Sequence, residues 1–363
     1  MTNYLLAGGG TAGHVNPLLS LAEHIRAEEP GSNVIALGTR EGLEARLVPE
    51  RNFELQTIDR LPFPRKPSLY ALNFLPRFMR AVNQIRELIR SRGVNVVVGF
   101  GGYASAPAYV AARREGVPYV IHEANALVGL ANRFGARRAA AIGTVFESTK
   151  LPGAVVTGMP LRPELELAIT TATKKEARVS LGLKPDVPTL LVTGGSLGAR
   201  RINQSISQSA GALHAAGVQV LHILGGNSEI AEEESDLLKR VHYCDQMHLA
   251  IVAADLAVAR AGASTVSEFG AFGLPAIFVP YPVGNGEQRF NAEPLVSVGG
   301  AFLVDDSDFS PEYVRDHVVP LISNTKQLKR MAVLCKQVSI TNGTERLFNL
   351  VRSVLPTNPA LDK

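Results

Sequence analysis

The sequence predicts an α/β fold of two doubly wound, Rossmann-like parallel-sheet domains. Three observations carry that expectation. Short apolar runs alternate with helix-period segments along the whole chain, the pattern of parallel strands joined by right-handed crossover helices. Two of those runs end in glycine-rich turns, Gly8-Gly9-Gly10 and Gly194-Gly195. The length, 363 residues with 46% hydrophobic and 19% charged, suits two cores better than one.

In the first half, Tyr4–Ala7, Asn33–Leu37, Asn95–Gly99, Tyr119–His122, Ala139–Gly143 and Ala154–Thr157 read as strands. Pro17–Glu28, Glu41–Val48, Leu75–Arg92 and Ala106–Arg114 read as helices. The second half repeats the theme with strands Thr189–Thr193, Val218–Leu224, Leu256–Ala259 and Ala276–Val279. Its helices include Ala199–His214, Ser264–Phe272 and Glu312–Ile322. The halves echo one another, since Val97–Gly102 and Val258–Gly262 each turn into a helix and return through a Gly-x-Pro turn. A boundary is expected at Gly158–Pro163, where two prolines bracket a polar stretch. That divides the chain into domains 1–160 and 161–341, with the helix and tail of 342–363 free to pack on either half.

Composition excludes several classes. Only Cys244 and Cys335 occur, outside any C-x-x-C pair, so a disulfide framework is not expected and a reducing cytosol is. The eight histidines show no metal-like spacing, so no metal site is expected. The N-terminus runs into a strand with no basic segment before it, so no signal peptide is expected. Val94–Ala112 is uncharged and long enough to span a bilayer, but its glycines and Pro107 fit a buried strand, turn and helix. Net charge is only +4, yet Arg60–Arg92 holds eight basic residues and one acid, Glu87. Within it Arg65, Lys66, Leu69, Leu72, Phe74, Leu75, Arg77, Phe78 and Arg80 interleave cations with apolar groups, as on an anionic membrane surface. An amphipathic helix turning Leu75, Phe78, Met79 and Val82 to the core explains part of this, but not the exposed-looking loop Leu69–Phe74. No nucleic-acid-binding module accompanies the patch.

The loop Gly8–Pro17 formally matches Gly-x-Gly-x-x-Gly, but a nicotinamide site needs an acid at the end of the second strand. That strand ends Ala36-Leu37-Gly38-Thr39, without one, and no G-K-[ST] follows either glycine run. What distinguishes the loop is His14, a candidate proton acceptor beside a phosphate cradle. The better nucleotide candidate is Arg260–Glu268, where a glycine turn, Ser264, Thr265 and Glu268 share one helix start. Its plainer reading is capping, with Ser264-x-x-Ser267 and Glu268 aiding the dipole. His122-Glu123-Ala124-Asn125 closes a strand and offers either an acid/base pair with an amide or a satisfied polar turn.

Taken together, GGGTAGHVNP, GGYASAP (Gly101–Pro107), HEAN, MPLR (Met159–Arg162), GGSLGAR and RAGASTVSE resemble, in order, the MurG family. These are undecaprenyl-diphospho-muramoylpentapeptide N-acetylglucosaminyltransferases. The resemblance covers nearly the whole chain. It implies a GT-B fold whose two domains face a cleft. It also implies an inverting, cofactor-free and metal-free transfer of GlcNAc from UDP-GlcNAc to the 4-hydroxyl of MurNAc in lipid I. Thr11, Ala12 and Gly13 would line the donor sugar and diphosphate, Asn125 would contact GlcNAc, and Arg162 would touch the donor between the domains. Ser196 would bind diphosphate, Cys244 would hold uracil through its backbone, and Gln288 would read sugar hydroxyls. Ala263, Ser264, Thr265, Val266, Ser267 and Glu268 would hold phosphate and ribose. His14 is the first candidate for the base and Glu123 the second. Partners would be lipid I, an anionic inner-membrane surface at the cytoplasmic face, and other cell-wall synthesis and division proteins. Ala12 and Glu287 depart from the Gly and Gln common in the family. A UDP-GlcNAc 2-epimerase and a non-catalytic, membrane-associated UDP-GlcNAc sensor share the implied donor and stay open.

Overall fold

The computed structural model describes residues 1–64, 68–195, 198–283 and 285–356. They form two compact units, Met1–Arg162 together with the chain from Asn342, and Pro163–Thr341. Arg65, Lys66 and Ser196 lie outside the described residues, as does the side chain of Leu69.

The first unit holds seven strands: β1 (Asn3–Ala7), β2 (Asn33–Thr39), β3 (Glu54–Ile58), β4 (Val96–Gly99), β5 (Tyr119–Glu123), β6 (Ala141–Thr144) and β7 (Ala154–Val156). All pair in parallel, in the order β3-β2-β1-β4-β5-β6-β7. Strand order reverses between β1 and β4, so the loops leaving those strands flank the sheet's switch point, where such folds bind ligands. Alternation along each strand feeds two cores. Leu5, Ala7, Val97 and Ile121 face α3 (Leu69–Ser91) and α4 (Ser105–Arg114). Tyr4, Leu6, Val96, Val98 and Val120 face α1 (Ala12–Glu28) and the C-terminal helix Gly343–Arg352. That last helix packs in the first unit through Leu347, Phe348 and Val351, and Thr344 Oγ1 donates to the Leu161 carbonyl.

Two helices begin earlier than their prolines suggest. α1 starts at Ala12, which puts His14 in its first turn and Pro17 inside it. α3 starts at Leu69 because Ser68 Oγ accepts the Ala71 N–H at 3.2 Å, a side-chain cap. The expected loop Leu69–Phe74 is therefore helical. Pro76 removes the N–H that would bond the Leu72 carbonyl, on an exposed face of the helix.

The second unit repeats the design with β8 (Thr189–Thr193), β9 (Gln219–Ile223), β10 (Glu233–Ser235), β11 (Leu238–Val241), β12 (Leu256–Ala259), β13 (Ala276–Phe278) and β14 (Ala301–Leu303). The order is β10-β11-β9-β8-β12-β13-β14, with only β10 antiparallel. Without β10, its six parallel strands repeat the order β3-β2-β1-β4-β5-β6 of the first sheet, and its switch point lies between β8 and β12.

Candidate active site

At the first switch point the loops after β1 and β4 close on each other. Gly102 has φ +78°, and a Cβ there would collide with the Gly9 carbonyl; only glycine fits. Thr11 opens α1, and the N–H groups of Ala12 and Gly13 begin the helix with no intrahelical acceptor. His14 Nδ1 lies 3.1 Å from the Gly9 carbonyl oxygen and 3.3 Å from Thr11 Oγ1. A carbonyl oxygen only accepts, so Nδ1 is the donor to Gly9, and in the neutral ring that leaves Nε2 as the acceptor. Nε2 faces Gly101, where an added Cβ would stand 3.1 Å away.

Beneath this loop lies Glu44, which the sequence reading missed. It is 1% exposed. Its carboxylate accepts the Gly10 N–H at 2.7 Å, the Thr39 N–H at 2.8 Å and the Thr39 hydroxyl at 2.8 Å. Gly9, Gly38 and Gly42 pack so tightly around it that a Cβ on any of them would clash. The acid absent from the end of β2 thus arrives five residues later, at the start of a short helix, Glu44–Glu50. It turns inward onto the glycine loop rather than outward. The only sequence signal was a glutamate among glycines, in Gly38-Thr-Arg-Glu-Gly42-Leu-Glu44.

At the end of β5, His122 is fully buried, and desolvation holds its pKa at about 4. It is a core residue, its Nε2 directed at the Gly158 carbonyl 3.5 Å away. Of the two readings open for His122-Glu123, the structure favours the buried polar turn over an acid/base pair. The Glu123 carboxylate is also buried, and it accepts N–H groups of Asn125 at 3.0 Å, Gly129 at 2.9 Å and the Asn132 amide at 3.0 Å. It ties down the loop that presents Asn125.

In the second unit, the helix Ala263–Phe272 starts at Gly262 without a side-chain cap. The capping reading of Ser264 and Ser267 is thereby replaced. The amides of Ala263, Ser264 and Thr265 open the helix with no intrahelical acceptor, and Ser264 Oγ is buried without a hydrogen-bond partner. Val266 is the exception in this stretch. Its side chain is buried, and its N–H bonds the Gly262 carbonyl at 3.0 Å, so it packs rather than reaching a ligand. Arg260 donates to the carbonyls of Val279 and Pro280, both at 3.0 Å, and pairs with Asp306 at 2.6 Å, bracing this end of the sheet. Gln288 Oε1 accepts the Tyr281 N–H at 2.9 Å, at the start of the helix Glu287–Ser297. Asn291, on that helix, donates to the Ala261 carbonyl and joins the two segments. Cys244 follows β11, half-buried, with its thiol pKa pushed up by desolvation. Arg162 ends the first of the two segments that make up the first unit and is partly buried.

The basic, apolar patch divides by helix face. Leu72 and Leu75 are 76% and 64% exposed, and Arg80 is exposed too. Phe78 is 9% exposed and Phe74 packs against the core, so both turn inward, away from any surface contact. Arg77 lies 3.7 Å from Asp59. Among the described residues, no helix is long and apolar enough to cross a membrane.

Residues 4–144 match the glycosyltransferase family 28 N-terminal domain, and 189–347 match the glycosyltransferase family 28 C-terminal domain. A Clavibacter sepedonicus protein named UDP-N-acetylglucosamine--N-acetylmuramyl-(pentapeptide) pyrophosphoryl-undecaprenol N-acetylglucosamine transferase is 56% identical, over 99% of this chain and 98% of its own. A Leifsonia xyli subsp. xyli protein of the same name is 53% identical over 98% and 99%. The crystal structure of Acinetobacter baumannii MurG matches with a TM-score of 0.77 at 26% identity, covering 98% of this chain and 100% of that one. The two glycine-loop switch points and these full-length likenesses agree, and the chain belongs to glycosyltransferase family 28, among the MurG-type N-acetylglucosaminyltransferases.

Proposed function

We propose that this chain transfers N-acetylglucosamine from UDP-GlcNAc to the 4-hydroxyl of MurNAc in lipid I, forming lipid II for peptidoglycan synthesis. The observation that carries the reaction is the 53–56% identity to transferases of that name over nearly the full length. His14 is the general base. Its Nε2 takes the acceptor proton as the 4-oxygen attacks the anomeric carbon through an oxocarbenium-like state. The C1–O bond to UDP breaks, and the leaving diphosphate gathers negative charge.

Oriented amides and hydroxyls meet that charge without reorganising. Support for this role in the second unit comes from the open N–H groups of Ala263, Ser264 and Thr265 and the unpartnered hydroxyl of Ser264. Thr11, Ala12 and Gly13 act on the donor from α1, and Ser196 from the second glycine loop. Cys244, Ser267, Glu268 and Gln288 complete nucleotide and sugar recognition, with Arg162 and Asn125 as further donor contacts. Glu123 holds the Asn125 loop rather than moving a proton. The protein works on a lipid-linked acceptor, and we assign its membrane contact to Leu72, Leu75 and Arg80 on α3, at the cytoplasmic face.

His14→Ala should lower turnover at least about 100-fold while leaving UDP-GlcNAc affinity within about twofold. The wild-type product should be the β-1,4-linked disaccharide lipid. Near-normal turnover in the variant would remove His14 from the base role, and an α-linked product would overturn the inverting mechanism.

A further inference from the structure

We propose that Glu44 is the positioning carboxylate of His14 and acts on it through one peptide bond. The Gly9 carbonyl and the Gly10 N–H belong to the same peptide unit. Its N–H donates to Glu44 Oε2 at 2.7 Å, and its carbonyl accepts from His14 Nδ1 at 3.1 Å. The order is carboxylate, peptide N–H, peptide carbonyl, imidazole N–H. Hydrogen bonds in series polarise one another, more so away from water. A negative charge on the N–H side makes the carbonyl a better acceptor, which fixes the Nδ1–H tautomer and favours the imidazolium that forms when Nε2 takes the acceptor proton. In a Ser-His-Asp site the carboxylate touches the imidazole directly and does both things. Here a glycine peptide stands between them.

The surroundings suit a charge-bearing role. Among the described residues no cation pairs with Glu44, so its charge is met only by three donors, one of which is the relay peptide. The glycine loop's phosphate-type cradle is thus occupied at Gly10 by the protein's own anion. This explains why a Gly-x-Gly-x-x-Gly loop serves chemistry rather than a dinucleotide. Of the other titratable groups near His14, His122 lies behind it on β5 and is held neutral by burial, and Glu123 is committed to its own loop.

The inference rests on His14 being the base, so three variants are compared. Glu44→Gln keeps the shape and removes the charge. We expect kcat to fall about tenfold, the acidic limb of the kcat/KM pH profile to move to lower pH, and UDP-GlcNAc affinity to hold. Thr39→Val strips a donor from Oε1 and leaves the charge, so the limb should move to higher pH. Should Glu44→Gln fail to fold, the Thr39→Val shift decides. A limb at the wild-type position in the folded variants, even with lower kcat or melting temperature, reduces Glu44 to a structural brace and overturns the relay. His14→Ala separates the failures: if it is near wild type, the base assignment falls. If it is inactive while Glu44→Gln keeps its limb, only the relay is lost.

Discussion

Two buried carboxylates, Glu44 and Glu123, act alike in the first candidate site, each tying a loop by its backbone N–H groups. Neither role was legible in the sequence, because an acid that turns inward has the same residue type as one that meets a ligand. His14 was legible as a candidate base, since it follows a glycine run at a helix start. The two histidines buried in strands, His122 and His222, carry a different consequence. Desolvation holds their pKa values at about 4 and about 3. Both are therefore neutral in the folded protein, whereas an unfolded chain protonates histidine near pH 6.5. Below about 6.5 the unfolded state binds more protons, so stability is lost as pH falls toward about 4, and these groups add no slope above 6.5. Thermal unfolding should show a lower Tm at about pH 4.5 than at about pH 7. His222→Gln should lose part of that difference. An unchanged difference would show that His222 does not contribute to the acid slope.

Among the elements, α3 carries the proposed membrane contact. Its inner face, with Phe78, Val82, Ile85 and Ile89, belongs to the core, while Leu72, Leu75 and Arg80 are presented outward. Replacing Leu72 and Leu75 with Ser and Arg80 with Gln should weaken binding to vesicles containing anionic lipid several-fold, with donor affinity unchanged. Phe78→Ala should instead cost about 3 kcal/mol of stability, as core truncations do. Vesicle affinity that ignores the three outward changes would refute the surface assignment. The sequence marked this helix as amphipathic but placed its start at Leu75, because Pro76 resembles a first-turn proline and the Ser68 cap carries little signal. Strands β3, β11 and β14, and the three-residue edge strand β10, were missed for a related reason. Glu54-Leu-Gln-Thr-Ile58 and Leu238-Lys-Arg-Val241 mix charge with apolar groups toward the sheet edges, and Ala301-Phe-Leu303 is only three residues long.

Across the whole molecule, two sheets of the same core strand order each place a glycine loop at a switch point. That architecture was readable from alternating strands and helices because buried parallel strands are continuous apolar runs. The transferase activity was readable through the family resemblance that GGGTAGHVNP, RAGASTVSE and the other motifs carry in order. What remained hidden were interactions between residues far apart in sequence, such as Gly10 with Glu44 or Asn291 with Ala261. The most direct measurement of the account is UDP release from UDP-GlcNAc, with and without a lipid I analogue. A transferase with His14 as base releases UDP only when the acceptor is present, one UDP for each disaccharide formed, and His14→Ala abolishes that acceptor-dependent release. Conversion of UDP-GlcNAc at C2 without acceptor, or nucleotide binding with no UDP released when lipid I is supplied, would contradict it.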